Sequence, residues 1–154
     1  MEGLAEALGV GAEEKRLWGL AGLLHDLDYV ETAEDFDRHG LITAEELEGR
    51  VEPEVVNAIL AHADKAPRAS LMDKALYAAD PATGFVVAAA LVRPDKSLAG
   101  VEVSSLKKRW KEKAFARGAN RDQMATAEEL GLSREEFLGI ALAAMRARAG
   151  ELGL

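Results

Sequence analysis

The stretch Leu17–Leu27, LWGLAGLLHDL, carries the reading that decides the fold class. Leu17, Leu20, Ala21 and Leu24 fall at i, i+3, i+4 and i+7, one apolar helical face that continues through His25. His25 and Asp26 are the only ionisable groups in these eleven residues. Burying an imidazole and a carboxylate at the end of an apolar helix is costly unless they are paired or bound to a metal. Two readings therefore stand at this point: the doublet hydrogen-bonds and caps a helix end, or it ligates an ion.

Ala75–Val92 poses the same problem, because Asp80 is the only charge in eighteen residues. Such a carboxylate is protonated, hydrogen-bonded at a helix start or neutralised by a cation. Capping is one option, since Pro81 suits a first helical position. Two apolar segments, each interrupted by metal-competent side chains, point more strongly to a shared partner than either does alone.

Helical spacing recurs outward from these segments, and strand-type alternation is nearly absent. The pattern predicts a helix over about 39–48 and a second opening at Pro53 and ending near Ala63 with Val55, Val56, Ile59 and Leu60 buried. Ser70 with Asp73 forms a capping-box pattern for a helix over Leu71–Ala79, which Pro81 breaks or bends. Thr83–Val92 then reads as an all-round buried helix closed by Arg93-Pro94. Ser104 or Ser105 can cap a basic helix through about Phe115, Asn120 with Gln123 opens another that stops at Gly131, and Ser133 with Glu136 opens the last, which Gly150 ends. The expectation is an all-α array of about seven helices in a single domain, 1–154.

Composition narrows the chemistry. With no cysteine there is no disulfide framework, thiolate metal site or thiol nucleophile, so any metal ligands are imidazole and carboxylate, and the three histidines become central. A net charge of -8 argues against a general nucleic-acid-coating surface. The charge is uneven, with 16 acids against 4 bases in residues 1–64 and 11 against 15 in residues 65–154. No targeting signal or membrane span is legible, which predicts a cytoplasmic protein without membrane partners. Two Asn and one Gln beside the missing cysteine suggest a thermostable source.

GLAGLLHDLDY, followed by DRHG, AHAD and ALYAADPATGF, resembles the HD-domain superfamily, in particular its small HDIG-type members. The resemblance implies an α-helical metal-dependent phosphohydrolase. Its ligand doublet maps onto His25-Asp26 and its distant aspartate onto Asp80, while His39 and His62 stand where members with two metals insert further histidines. The match runs over about 1–92, the metal-site part, and residues 93–154 look like the C-terminal helices of the same proteins.

Two departures are visible. Residues 1–24 hold no histidine, so the family's first ligand is missing, and EGLAEALGV reads like the tail of the helix that carries it, as in a chain that starts late. The doublet is followed by LDY where many members have Gly-Lys, leaving Asp28 either as a proton-transfer or supporting group behind the ligands or as a solvated acid after the helix.

Such a donor set suits one or two ions of Mn, Fe, Co, Ni, Zn or Mg, which would bind water and lower its pKa for attack on phosphorus. His25, Asp26 and Asp80 are the leading ligands, Asp26 and Asp28 the acids beside the chemistry. The run Lys107–Arg121 is a solvated face or, at Arg117 and Arg121 around the helix start at Asn120, a contact for substrate phosphate. The expected function is hydrolysis of a phosphate ester on a small phosphorylated substrate, with a nucleotide as one option. The competing reading is a non-catalytic HD-like domain serving homo-oligomerisation or partner binding.

Overall fold

Helices account for all the regular structure of the computed structural model, which describes all 154 residues. Nine α-helices and three 3-10 turns stand where about seven helices were expected: short helices at Glu2–Ala7 and Ala149–Leu152 add to the count, while the two expected on either side of Pro81 are one. The backbone packs as two compact units, Met1–Tyr77 and Ala78–Leu154.

In the first unit α1 (Glu2–Ala7) and α2 (Ala12–Leu24) are separated by Gly9, whose φ of +72° reverses the chain. α3 (Leu41–Leu47) and α4 (Pro53–His62) follow, the latter with its proline in the first turn as its missing N–H allows. α2 packs on α1 and α4, and α3 on α4. Burial along α2 centres on Trp18 and Ala21, with Leu17, Leu20 and Leu24 half-buried beside them, so the inner line is rotated by one residue from the leucine spacing. The helix over 39–48 is trimmed to Leu41–Leu47, leaving His39 in the loop before it.

α5 (Leu71–Leu91) corrects the sequence reading at Pro81. The helix neither ends nor restarts there, so Asp80 lies inside it rather than at the helix start expected from the sequence. An interior proline costs about 3 kcal/mol, but Ala78, Ala82, Phe85 and Val86 on either side of it are fully buried, and that packing holds the helix through. The boundary between the units falls within α5, one turn before Pro81. Its second half is also not buried all round, since Thr83, Gly84 and Leu91 are exposed. The capping box at its start is present: Asp73 Oδ2 accepts from Ser70 N at 2.8 Å, and Ser70 Oγ from Asp73 N at 3.1 Å.

In the second unit α6 (Val103–Trp110) starts after Glu102 rather than at a serine and stops before Phe115. Asn120 caps α7 (Arg121–Ala125), which tightens into a 3-10 turn over Thr126–Leu130 and ends at Gly131 with φ +77°. A full capping box between Ser133 and Glu136 opens α8 (Arg134–Ala147), while Gly150 lies inside the short α9 (Ala149–Leu152) instead of ending α8. α8 packs on α6 and on the turns Leu98–Gly100 and Thr126–Leu130. No helix is long and apolar enough to cross a membrane.

Candidate metal centre

All three histidines meet in the first unit. His25 is the C-cap of α2, His62 the last residue of α4, and His39 ends the loop that joins α2 to α3. Their Nδ1 atoms face oxygens that can only accept: Gly22 O for His25 at 3.1 Å, Asp28 Oδ1 for His39 at 2.8 Å, and Ile59 O for His62. Each Nδ1 therefore carries a hydrogen, which leaves Nε2 as the atom each ring presents to the centre. That orientation, with the far nitrogen tied to a carbonyl or carboxylate, is the one metal-ligating histidines adopt.

The Nε2 atoms surround the Asp26 carboxylate. His25 Nε2 lies 3.3 Å from Oδ2, while His39 and His62 Nε2 lie 3.4 and 3.8 Å from Oδ1. His39 and His62 point their Nε2 atoms at one another across 3.1 Å. Lone pairs and a carboxylate facing each other repel unless protons or a cation sit among them, so the arrangement fits a metal ion. Ligand atoms of His25, Asp26 and His62 all lie within 4.8 Å of one another. Ligand bonds of about 2.0–2.2 Å let donors around one ion stand up to about 4.4 Å apart, so the three atoms lie close to the span that one ion requires. The same lone pairs bind protons, which makes metal and protons competitors here. Burial disfavours the charged Asp26 carboxyl, but hydrogen bonds and attraction from His25 and His62 outweigh it and hold the group well below the ordinary carboxylate range.

Asp28 is no solvated acid. It is only 2% exposed, and both oxygens are engaged: Oδ1 by His39, Oδ2 by Gly40 N at 2.9 Å and Thr43 N at 3.0 Å. Burial pushes its carboxyl up, but the backbone and side-chain hydrogen bonds from Thr43 and His39 prevail and lower it. Asp28 thus orients His39 and ties the loop to the start of α3.

Gly40 makes that tie possible. Its φ is +77°, and a Cβ there would come within 2.8 Å of Ala63 Cβ and 3.3 Å of Ile59 O on α4. Only glycine meets both the left-handed backbone and the close approach that sets His39 opposite His62. Gly40→Ala is expected to lower stability by about 1–3 kcal/mol in denaturant titration. A variant as stable as the parent would show that the loop has another way past α4.

Of the other residues singled out from sequence, Asp80, Arg117 and Arg121 belong to the second unit. Asp80 Oδ2 is 3.4 Å from Gln123 Nε2, and its carbonyl accepts from Thr83 Oγ1. Arg121 donates to the carbonyls of Phe115, Ala116 and Ala119 and lies 4.4 Å over the Phe85 ring, pinning the 115–119 loop to α5 and α7. Arg117 is exposed. Sequence reasoning missed Gly40 and Thr43; the His-Gly pair at 39–40 was the available signal for a left-handed loop residue.

A family model described as HD domain matches residues 1–113. The chain belongs to the HD domain family. The match spans the whole His–Asp cluster, and the all-helical architecture agrees with it. For this HD domain the family implies divalent-metal binding, and the cluster supplies a donor set for it. No curated protein and no solved structure matches the chain.

Proposed function

We propose that this HD domain is a metal-dependent phosphohydrolase acting on a phosphate ester. The observation that carries the reading is the convergence of three Nε2 atoms on the Asp26 carboxylate, with every Nδ1 already committed to an acceptor. His25, Asp26 and His62 are the proposed ligands, with His39 beside them as a fourth donor. A mixed imidazole–carboxylate set suits Mn, Fe, Co, Ni or Zn, and Mg less well. When bound, such an ion polarises a phosphoryl oxygen and makes water a better nucleophile at neutral pH.

The protein's own groups prepare that chemistry. Gly22 O, Ile59 O and Asp28 hold the three rings with Nε2 inward. Asp26, whose side chain is 43% exposed while His39 and His62 are nearly sealed, stands at the open side where a phosphate and a water would arrive.

Elemental analysis of the purified chain, with phosphatase assays in added Mn, Fe, Co, Ni, Zn and Mg, tests the reading. Stoichiometric metal and ion-dependent release of phosphate are expected. His62→Ala, which removes one of the proposed ligands, is expected to lower both. A chain that takes up no metal and hydrolyses no ester with any ion would overturn the proposal in favour of a non-catalytic helical domain.

A further inference from the structure

The second unit holds a cavity whose lining residues are all cations. Lys107, Lys108 and Lys111 at the end of α6 and Arg134, the first residue of α8, line a space of about 250 Å3. Lys111 follows Lys107 by four residues and Lys108 by three, which puts the three side chains on one side of the helix. Lys107 bridges to Glu135, and Glu136 is taken by Ser133 N and Oγ. Lys108, Lys111 and Arg134 are exposed and pair with no carboxylate. Cations suit the last turn of a helix, where the macrodipole is negative, and that accounts for the lysines. It does not account for Arg134, which stands at the opposite kind of helix end, where a cation is disfavoured. An aromatic ring holds it there: the Arg134 guanidinium lies 4.5 Å over Trp110, which meets the buried Phe85 edge-on at 6.1 Å. Stacking fixes the guanidinium plane without using its N–H groups, and no acceptor of the protein takes them.

We propose that this cavity is an oxyanion site that binds a multiply charged phosphate or diphosphate group, by a paired contact to Arg134 and charge contacts to Lys108 and Lys111. Like charges gathered around one cleft repel each other and draw a counter-ion of the opposite sign. A guanidinium fork set in one plane matches two oxygens of a phosphate, and the ammonium groups supply point charges to the others. The space is smaller than the roughly 300–1,000 Å3 of pockets that enclose drug-sized ligands, so it suits the phosphate group itself. The site uses no metal and no residue of the first unit, and it stands apart from the phosphohydrolase reading.

Orthophosphate and diphosphate are titrated into the full-length chain and followed by tryptophan fluorescence. Of the two tryptophans, Trp18 is fully buried in the first unit, so a signal that Trp110→Phe abolishes reports the cavity. A saturable change is expected with both ions, at lower concentration for diphosphate. Lys108→Ala and Lys111→Ala are each expected to weaken binding about tenfold, as loss of a hydrogen bond to a charged group does. Arg134→Lys keeps the charge but not the fork and is expected to weaken it similarly, Arg134→Gln more. All three side chains are exposed, so these variants are expected to match the parent in denaturant titration. Asp26→Ala, which disables the proposed metal centre, is expected to leave the Trp110 signal and the diphosphate affinity unchanged, confirmed by calorimetry. No saturable change, or an affinity that survives both Lys111→Ala and Arg134→Gln, would overturn the site. Loss of the signal in Asp26→Ala would assign the anion to the metal centre and overturn it too. A short single-stranded oligonucleotide that binds more tightly than diphosphate would replace the small oxyanion by a nucleic-acid backbone, with the same consequence.

Discussion

Asp26→Ala is expected to weaken metal binding by at least about a hundredfold, the upper end of what losing even a supporting group behind the ligands does. Asp26 is the single anionic donor among the ligand atoms, and its two oxygens meet all three Nε2 atoms between 3.3 and 3.8 Å. Removing it leaves three imidazoles. That residual set still suits zinc or nickel, whereas manganese and magnesium depend on oxygen donors and are expected to be lost first. Competition with a chromophoric chelator, run ion by ion, reads this order directly. Phosphate release should fall with the metal. An Asp26→Ala chain that keeps parental manganese affinity would place the ion elsewhere and remove the basis of the proposed centre.

Asp28→Asn is expected to combine a fold effect with a metal effect. The buried carboxylate accepts from the His39 ring and from the backbone N–H groups of Gly40 and Thr43. In either orientation the asparagine amide turns an NH2 towards one of these donors, leaving it unsatisfied in a site without water access. The expected loss is about 2–4 kcal/mol. Metal affinity is expected to fall about 10–100-fold, because His39 loses its fixed orientation. The pH dependence separates this from a packing defect. Asp28 titrates below its ordinary value of 3.8 in the folded chain, so its contribution is fully present above that value and is lost as pH falls through the folded pKa. The stability gap between parent and Asp28→Asn, measured in denaturant, is therefore wide at neutral pH and narrows in acid below about pH 4. A gap that stays constant down to pH 2 would assign the loss to packing alone.

Much of the helical framework was legible from short-range pattern. Pro53 at a first turn, the Ser70–Asp73 and Ser133–Glu136 boxes and the Asn120 cap all depend on residues three or four apart, and the structure contains each of them. Boundaries governed by distant packing were less legible. The basic helix after Glu102 stops at Trp110, five residues short of the expected end, and no local signal marks that point.

The candidate centre divides along the same line. His25-Asp26 at the end of an apolar helix could be singled out because a polar doublet in an apolar segment demands a partner, and the family resemblance follows from the same residues. The sequence by itself therefore determined the all-helical class, most of the caps and the identity of the ligand-type side chains. Only the tertiary structure decided that α5 runs unbroken through Pro81, that Asp28 is buried behind His39, and that Arg121 serves its own loop. It also decided that His39 faces His62 across 3.1 Å. The physical reason is that periodicity and capping are set within one or two turns of chain. Burial, a left-handed glycine pressed against another helix and the meeting of residues 23 positions apart depend instead on how separate helices pack.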